Sequence, residues 1–499
     1  MTDLVGAAMA LRREGRFAEA SQALQRAVNL APDDPTPWAA LIDCELAARR
    51  PEVALQVADA ALRRLPGNPA LLAAKARVLQ NDSRIEEAET LFREALASDP
   101  ASREARFGLA SLAVEAGDWD EAETLAAPLL PAGTGGGAGW LGARIALGRG
   151  DFEAARVRAA AALSAPGLTP EQESEITLLL GEALDGLGRP AEAFGVFAQG
   201  KAILHRLYAA RAASREGESA KYQRLAAWFE AADPAPWRSA APPTASTGGV
   251  RGHAFLVGFP RSGTTLLEQA LAGHPGLAAL EEAPTLAGAY DARMTSPEGL
   301  ERLASLSGDE AETWRAAYWA EVARAGVLPS GKVFLDKAPA GTLYLPLIAK
   351  LFPDARILFA IRDPRDVTLS CFRNHFQMNA LTYAFTDLVE AARCYAASMQ
   401  MAQVYRRLLP LDVAEVRYEA LVADFEGELG RIAAFLALDL RPTMLDVAAT
   451  ADRRIVRTPS APQVRAGLNA RGIGRWRAYE AELTPVLPTL APWVERFGY

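Results

Sequence analysis

The sequence has few of the features that mark exported or membrane proteins. Its three cysteines, Cys44, Cys371 and Cys394, cannot build a disulfide framework, and no Cys-x-x-Cys pair suggests zinc. No apolar run reaches the roughly 18 residues that a membrane span needs. The amino terminus lacks a basic region followed by a long apolar stretch, which is the pattern of a secretory signal. These absences predict a reducing, cytoplasmic setting.

Charge and histidine content exclude two further classes of protein. The net charge of −8 argues against general nucleic-acid binding, although it is compatible with a local basic pocket for an anion. The four histidines show no metal-ligand spacing, so we expect no metal site. The length of 499 residues predicts two or three domains.

A repeat is present in the amino-terminal half. Two ladders of alanine and one of proline recur every 34 residues, and weaker copies surround Ala155 and Ala193. Small alanines let two helices approach closely, and a proline stops the second helix of a unit. The unit resembles the tetratricopeptide repeat, and this resemblance implies a protein or peptide partner on a concave surface. The ladders are Ala20, Ala54, Ala88 and Ala122; Ala27, Ala61 and Ala95; and Pro32, Pro66 and Pro100.

Composition then divides the chain into three parts. We expect a repeat solenoid over residues 1–230, a linker rich in Pro, Ser, Thr and Gly over 231–250, and an α/β domain over 251–499. The glycine-rich residues 133–139 predict a flexible loop. They do not predict a nucleotide site, because no strand and helix flank them as such a site would require.

A phosphate-binding loop is predicted directly after the linker. A buried-strand pattern at 254–257 leads into Gly-Phe-Pro-Arg-Ser-Gly-Thr-Thr at 258–265, and apolar residues at helical spacing follow. Such a loop presents backbone N–H groups and the positive end of a helix to an anion. Thr264 occupies the position of the lysine found in nucleoside-triphosphate loops. This replacement argues against a small-molecule kinase and favours a less charged donor group that needs no metal.

The loop resembles that of sulfotransferases that use 3′-phosphoadenosine 5′-phosphosulfate (PAPS), and within them the branch of the tyrosylprotein sulfotransferases. The resemblance covers most of residues 251–499. It implies an α/β fold of the P-loop type, a mostly parallel sheet with helices on both faces and the donor at the carboxyl ends of the strands. It also implies PAPS as co-substrate, released as adenosine 3′,5′-bisphosphate, and protein tyrosine as acceptor. A glycan or small-molecule hydroxyl is the nearest alternative acceptor, and a repeat scaffold with a degenerate catalytic domain is the alternative of another class.

The resemblance implies which residues hold the donor. The strand that ends in Arg-Asp-Pro at 362–364 matches the segment that binds the 3′-phosphate, through Arg362 and Ser370. A further arginine of the tyrosylprotein enzymes is replaced by Asn374, and Arg373 lies next to it. The implied donor-binding residues are Gly258, Pro260, Arg261, Ser262, Gly263, Thr264, Thr265, Arg362, Ser370, Tyr418 and Arg475.

The resemblance also implies a carboxylate base. An ungapped stretch leads from the loop to Glu281-Glu282, and Glu282 matches the base of the tyrosylprotein enzymes. Two adjacent carboxylates repel each other, which favours proton uptake by one of them. His274 and His375 are the rival bases, because many cytosolic small-molecule sulfotransferases use a histidine.

Three further residues are implied to stabilise charge on the sulfuryl and bridging oxygens. They are Arg261 in the loop, Lys337 at the end of the strand 333–337, and Ser460 in a Ser-x-x-Gln-Val segment. If residues 251–499 are soluble on their own, we expect them to retain donor binding and to lose activity mainly on large acceptors.

Overall fold

The chain forms two compact units, residues 1–168 and 169–499. The computed structural model describes residues 2–82, 84–130, 136–238, 249–453 and 472–499. Within these ranges, the helices are too short or too polar to cross a membrane.

The first unit is helical, and its consecutive helices pack in pairs. A single 3₁₀ turn, Ala127–Leu129, interrupts the described helices. The helices are α1 Thr2–Arg13, α2 Phe17–Leu30, α3 Pro35–Ala47, α4 Pro51–Arg64, α5 Pro69–Asn81, α6 Ile85–Ser98, α7 Arg103–Ala116, α8 Trp119–Ala126, α9 Gly136–Gly148 and α10 Phe152–Leu163.

The alanine and proline ladders occupy the positions that a helix–turn–helix repeat predicts for them. All seven alanines of the two ladders are fully buried, as are Ala155 and Ala193 of the weaker copies. Each of the three ladder prolines lies two residues after the end of a helix; these helices end at Leu30, Arg64 and Ser98. The alanines therefore permit close helix contact and the prolines follow the helix ends, as predicted.

The loop predicted for residues 133–139 is wrong for its second half. Residues 136–139 begin helix α9, while residues 133–135 lie outside the described residues. A Cβ atom at Gly139 would lie 2.4 Å from the Cβ atom of Ala162 on α10. Glycine disfavours an isolated helix, but at this position it lets two helices pack more closely than any side chain would allow.

The second unit is built on a five-stranded parallel sheet in the order β2-β3-β1-β4-β5. Both faces of the sheet are buried: Phe255 and Val257 of β1 face one core, and Ala254 and Leu256 face the other. This confirms the predicted sheet with helices on both faces. The strands are β1 Gly252–Val257, β2 Leu277–Glu281, β3 Val333–Lys337, β4 Arg356–Ile361 and β5 Asp412–Arg417.

The described helices of the second unit include four that precede the sheet in the chain. Two 3₁₀ segments, Pro339–Tyr344 and Arg475–Tyr479, complete the elements. The helices are α11 Pro170–Gly186, α12 Pro190–Ala213, α13 Glu218–Ala231, α14 Ala235–Arg238, α15 Thr264–Ala272, α16 Ala287–Arg293, α17 Pro297–Ala304, α18 Gly308–Arg324, α19 Leu345–Leu351, α20 Pro364–Arg373, α21 Ala380–Ala384, α22 Leu388–Leu408, α23 Tyr418–Ala423, α24 Phe425–Phe435, α25 Pro442–Leu445, α26 Val447–Arg453, α27 Glu480–Leu483 and α28 Leu487–Phe497.

Helices α11 to α13 are part of the core of this second unit. Tyr222, Leu225 and Phe229 of α13 are buried in the same cluster as the sheet residues. Trp237, inside the predicted linker, is also buried there, with its ring centroid 4.7 Å from that of Phe229. This packing does not decide where the repeats end along the sequence, so the boundary at residue 230 stays a prediction. It does make residues 170–231 a structural element of the α/β unit.

Candidate active site

The carboxyl ends of the parallel strands bring the predicted site residues to one edge of the sheet. Glu281 pairs with Lys337 at the ends of β2 and β3, and Ile361 pairs with Arg417 at the ends of β4 and β5. The phosphate loop leaves the central strand β1 at this edge, where strand order reverses. Ligands of open parallel sheets bind at such a point.

The phosphate loop has the backbone conformations that its glycines predict. Gly263, the cap of α15, has φ +92°, and a Cβ atom there would lie 2.5 Å from Cδ2 of Tyr418. A glycine cap has no side chain to compete with an anion for the first N–H groups of the helix. Thr264 and Thr265 are buried in the first turn. Arg261 also has a positive φ, +72°, a conformation that is costly for an arginine and typical of functional loops.

Arg261 and Arg362 lie side by side, 7% and 9% exposed. Arg261 donates from Nε to Ser370 Oγ at 2.9 Å, and Arg362 donates from Nη1 to the carbonyl of Arg261 at 2.9 Å. Burial, and after it the charge of Arg362, lowers the pKa of Arg261 to about 10. The guanidinium of Arg362 also lies 4.7 Å from the ring centre of Tyr418.

This arrangement fits a bound phosphate. In the described part of the chain, no carboxylate lies within ion-pair distance of Arg362, and its buried Nε has no hydrogen-bond partner. A buried guanidinium with an unused donor is costly unless an anion completes its bonding. Arg261, Arg362 and Ser370, which the sequence places far apart, therefore form one anion cradle.

Lys337 is fully buried and surrounded by carboxylates. Its Nζ lies 2.9 Å from Glu282, 3.1 Å from Glu281 and 3.7 Å from Glu268. Burial alone would lower the pKa of Lys337, but the charges of Glu268, Glu282 and Glu281 outweigh it and the pKa is raised. Glu281 and Glu282 both contact the ammonium group of Lys337. Its positive charge offsets the repulsion between these two adjacent carboxylates that the sequence predicted.

Glu282 occupies a position that the backbone defines tightly. Its φ is +49°, and its N–H donates to the carbonyl of Lys337 at 2.8 Å. The side chain is half exposed, so it is accessible to an incoming acceptor. A half-exposed carboxylate of this kind has the chemistry of a general base.

A buried hydrogen-bond network surrounds Asp336, next to Lys337 at the end of β3. Asp336 accepts hydrogen bonds from Thr285 at 2.8 Å and from Tyr318 at 2.9 Å. Burial raises the pKa of Asp336 to about 6, and burial lowers that of His253, which contacts Tyr318, to about 3. Thr285 follows Glu282 closely in the chain, so this network fixes the loop that carries the predicted base.

Arg373 and Arg475 are both bound by Asp185 of helix α11. Tyr479 donates to the same carboxylate at 2.6 Å. Burial would raise the pKa of Asp185, but the charges of Arg373 and Arg475 outweigh it and lower the pKa. Asn374, in place of the further arginine, donates to the Ser370 carbonyl at 2.7 Å. Arg373 is therefore tied to helix α11.

The rival base His274 is already engaged. It is buried, its Nδ1 accepts the N–H of Gly276 at 2.9 Å, and its Nε2 lies 3.1 Å from Asp439. His375 is exposed. Ser460, the remaining predicted charge-stabilising residue, lies outside the described residues.

Sequence reasoning missed Glu268, Asp336 and Asp185. Glu268 is a charged residue inside the apolar helix that follows the loop, which could have indicated a buried partner. Asp336 directly precedes Lys337 in a buried strand, which is a similar signal. Nothing in the local sequence around Asp185 distinguishes it from a surface carboxylate.

A glycine-rich loop and a pair of buried arginines lie at the carboxyl edge of a parallel sheet in an α/β domain. Residues 254–442 match the model of the sulfotransferase family, and residues 11–78, 81–140 and 141–204 match models of the tetratricopeptide repeat. The chain therefore carries tetratricopeptide repeats followed by a domain of the sulfotransferase family.

Individual relatives are distant. An uncharacterized protein of Aquifex aeolicus is 28% identical over 255 residues, which span 48% of this chain and only 33% of that protein. A Caenorhabditis briggsae protein named "Putative protein-tyrosine sulfotransferase" is 25% identical over 257 residues, 49% of this chain and 88% of that protein. Among solved structures, the sulfotransferase domain of the Synechococcus PCC 7002 olefin synthase is 23% identical, with a TM-score of 0.31, and covers 46% of this chain and 95% of that domain.

Proposed function

We propose that the second unit transfers a sulfuryl group from PAPS to an acceptor hydroxyl, and that the acceptor is a protein tyrosine. The observation that carries the proposal is the cluster of Arg261, Arg362 and Ser370 at the same edge of the sheet as a buried lysine that contacts three carboxylates. The cradle suits the phosphates of the donor, and the lysine with its carboxylates suits the reacting end.

The residues present fit PAPS in both charge and position. The loop 258–265 and the start of α15 would hold the 5′-phosphosulfate, and Arg362 with Ser370 would hold the 3′-phosphate. Tyr418, stacked on Arg362 and close to Gly263, links the two parts. Arg475 would lie near the donor: its Nη2 binds Asp185, and its buried Nε has no hydrogen-bond partner among the described residues.

The reaction needs one bond formed and one broken. The acceptor oxygen attacks sulfur, and its proton passes to the Glu282 carboxylate. The bond between sulfur and the bridging oxygen breaks, and its electron pair leaves with adenosine 3′,5′-bisphosphate. Arg261 and Lys337 stabilise the charge that develops on the sulfuryl and bridging oxygens, and Ser460 is proposed to assist them.

Two features support a protein tyrosine as acceptor. The attached tetratricopeptide repeats are of a kind that binds peptides and proteins, and the C. briggsae relative carries a protein-tyrosine sulfotransferase name. Transfer to a glycan or a small molecule needs the same donor site, so the acceptor must be tested separately.

Adenosine 3′,5′-bisphosphate should bind without metal, and Arg362→Ala should weaken it by about 10- to 150-fold. That range corresponds to about 1.5–3 kcal/mol for a charge-assisted hydrogen bond. Calorimetry in EDTA measures it. Adenosine 5′-phosphate, which lacks the 3′-phosphate, is the matched ligand and should lose much less affinity. Equal weakening of both would contradict the 3′-phosphate assignment, and tighter binding of ATP than of the bisphosphate would contradict the donor.

Incubation with ³⁵S-labelled PAPS should label protein acceptors of a cell extract on tyrosine. The expected result is an acid-labile sulfate ester on tyrosine, located by mass spectrometry under conditions that preserve it. The full chain with Glu282→Gln is the control for enzyme-dependent transfer. Label found only on carbohydrate or on small molecules would keep the sulfotransferase and exclude the tyrosine acceptor.

A further inference from the structure

Two lysines of the second unit are completely buried, yet their surroundings differ. Lys201 donates to the carbonyls of Asn374 at 2.7 Å and Cys371 at 3.5 Å, and burial lowers its pKa to about 7. Lys337 is equally buried, but it contacts carboxylates and its pKa is raised. The carboxylates therefore decide whether a lysine buried in this unit keeps its proton.

Glu268 differs from the other two carboxylates at Lys337. Its side chain is 0% exposed, whereas those of Glu281 and Glu282 are 17% and 45% exposed. Water screens exposed charges strongly and buried charges weakly. Glu268 can thus act more strongly on Lys337 than its longer distance of 3.7 Å suggests.

The position of Glu268 in the fold also sets it apart. It lies on α15, one turn after Thr264, so the helix that follows the phosphate loop holds it in place. Glu281 and Glu282 end strand β2 or follow it, and Asp336, the neighbour of Lys337 on β3, bonds to Thr285 and Tyr318. These four carboxylates are the acidic groups that the described residues place around Lys337 or next to it in the chain.

We propose that Glu268 is a positioning residue that keeps Lys337 protonated while the reaction proceeds, an inference that rests on the proposed function. When Glu282 takes the acceptor proton, it becomes neutral and no longer attracts Lys337. Glu282 is half exposed and Glu268 is completely buried, so the proton of an incoming acceptor reaches Glu282, and the charge of Glu268 beside the Lys337 ammonium remains. Lys337 then keeps its proton at the moment when it must stabilise negative charge on the sulfuryl group.

The proposal can be tested on Lys337 itself, without any turnover. The chain has only six lysines, Lys75, Lys201, Lys221, Lys332, Lys337 and Lys350. Labelling with ¹³Cε-lysine gives few NMR signals, and Lys337→Arg identifies the one to follow. In Glu268→Gln, which preserves shape and removes charge, Lys337 should titrate lower than in the native protein by about one pH unit or more.

Two variants and one internal signal control this titration. Glu281→Gln removes a more exposed charge and should shift Lys337 less than Glu268→Gln does. Glu268→Asp keeps the charge at a greater distance from Lys337 and should give an intermediate shift. This variant also replaces Glu268→Gln in the test if Glu268→Gln does not fold. Lys201 should titrate at the same pH in all variants. An unchanged Lys337 titration in both Glu268 variants would overturn the proposal.

Single-turnover transfer from saturating PAPS gives the second measurement. The loss of rate at high pH should move to lower pH in Glu268→Gln by the same amount as the Lys337 titration. Identical pH profiles in an active native protein and in the variant would overturn the role of Glu268. Absence of transfer by the native protein, with a shifted Lys337 titration in the variant, would instead overturn the proposed function and leave the electrostatic pairing established.

Discussion

Glu282→Gln should slow single-turnover sulfuryl transfer by about two to four orders of magnitude, the usual contribution of a positioned general base. Glutamine keeps the shape of the side chain and can still accept a hydrogen bond from Lys337, but it cannot take a proton. Donor affinity should change little, because the proposed site assigns the phosphates to the loop and to Arg362. The measurement needs saturating PAPS, so that product release does not mask the chemical step.

Matched variants separate the base from its neighbours. Glu281→Gln should cost much less rate, since Glu281 contacts Lys337 but is more enclosed than Glu282. His375→Ala changes an exposed histidine and should leave the rate close to normal. Near-normal transfer by Glu282→Gln, together with collapse in His375→Ala or His274→Ala, would assign a histidine base and count against a tyrosine acceptor.

A fragment of residues 251–499 should fail to fold, whereas residues 169–499 should fold and bind adenosine 3′,5′-bisphosphate. The shorter fragment loses Tyr222, Leu225 and Phe229 from the main core. At about 1.5–3 kcal/mol for each large apolar side chain, the loss of about 5–9 kcal/mol is comparable to the whole stability of a domain. Circular dichroism with thermal unfolding, and calorimetry with the bisphosphate, compare the two fragments.

The shorter fragment also loses partners of charged groups near the site. Asp185, which binds Arg373 and Arg475, and Lys201, which donates to carbonyls at the end of α20, both lie in the removed helices. Leu225→Ala in the full chain is the milder control and should destabilise by about 2–5 kcal/mol. Cooperative unfolding and native bisphosphate affinity of residues 251–499 would show that these helices are dispensable for folding and for donor binding.

Several parts of the site could be predicted because their signals are local. A strand, a glycine-rich loop and a helix follow one another between residues 252 and 272, and each has its own residue pattern. The same holds for the strands that end at Lys337, Ile361 and Arg417. Parallel strands align their carboxyl ends, so these local patterns were enough to predict one edge as the donor site.

The glycines at 136–139 show where local patterns fail. The run of glycines predicted a loop, but the close approach of α9 to α10 at Gly139 and Ala162 favours a helix. Helix propensities differ by at most about 1 kcal/mol for glycine, so tertiary packing readily reverses such a prediction.

By itself, the sequence determined the order of the elements, the alanine and proline ladders of the repeats, and the glycine-rich loop between β1 and α15. Only the tertiary structure decided which charges meet. Lys337 contacts Glu268 of another element, and Asp185 binds Arg373 at a distance of 188 residues along the chain. Backbone preferences act over a few neighbouring residues and leave a local pattern, whereas a buried ion pair depends on how distant elements pack. A member such as Asp185 looks like an ordinary surface charge in the sequence until the fold removes it from water.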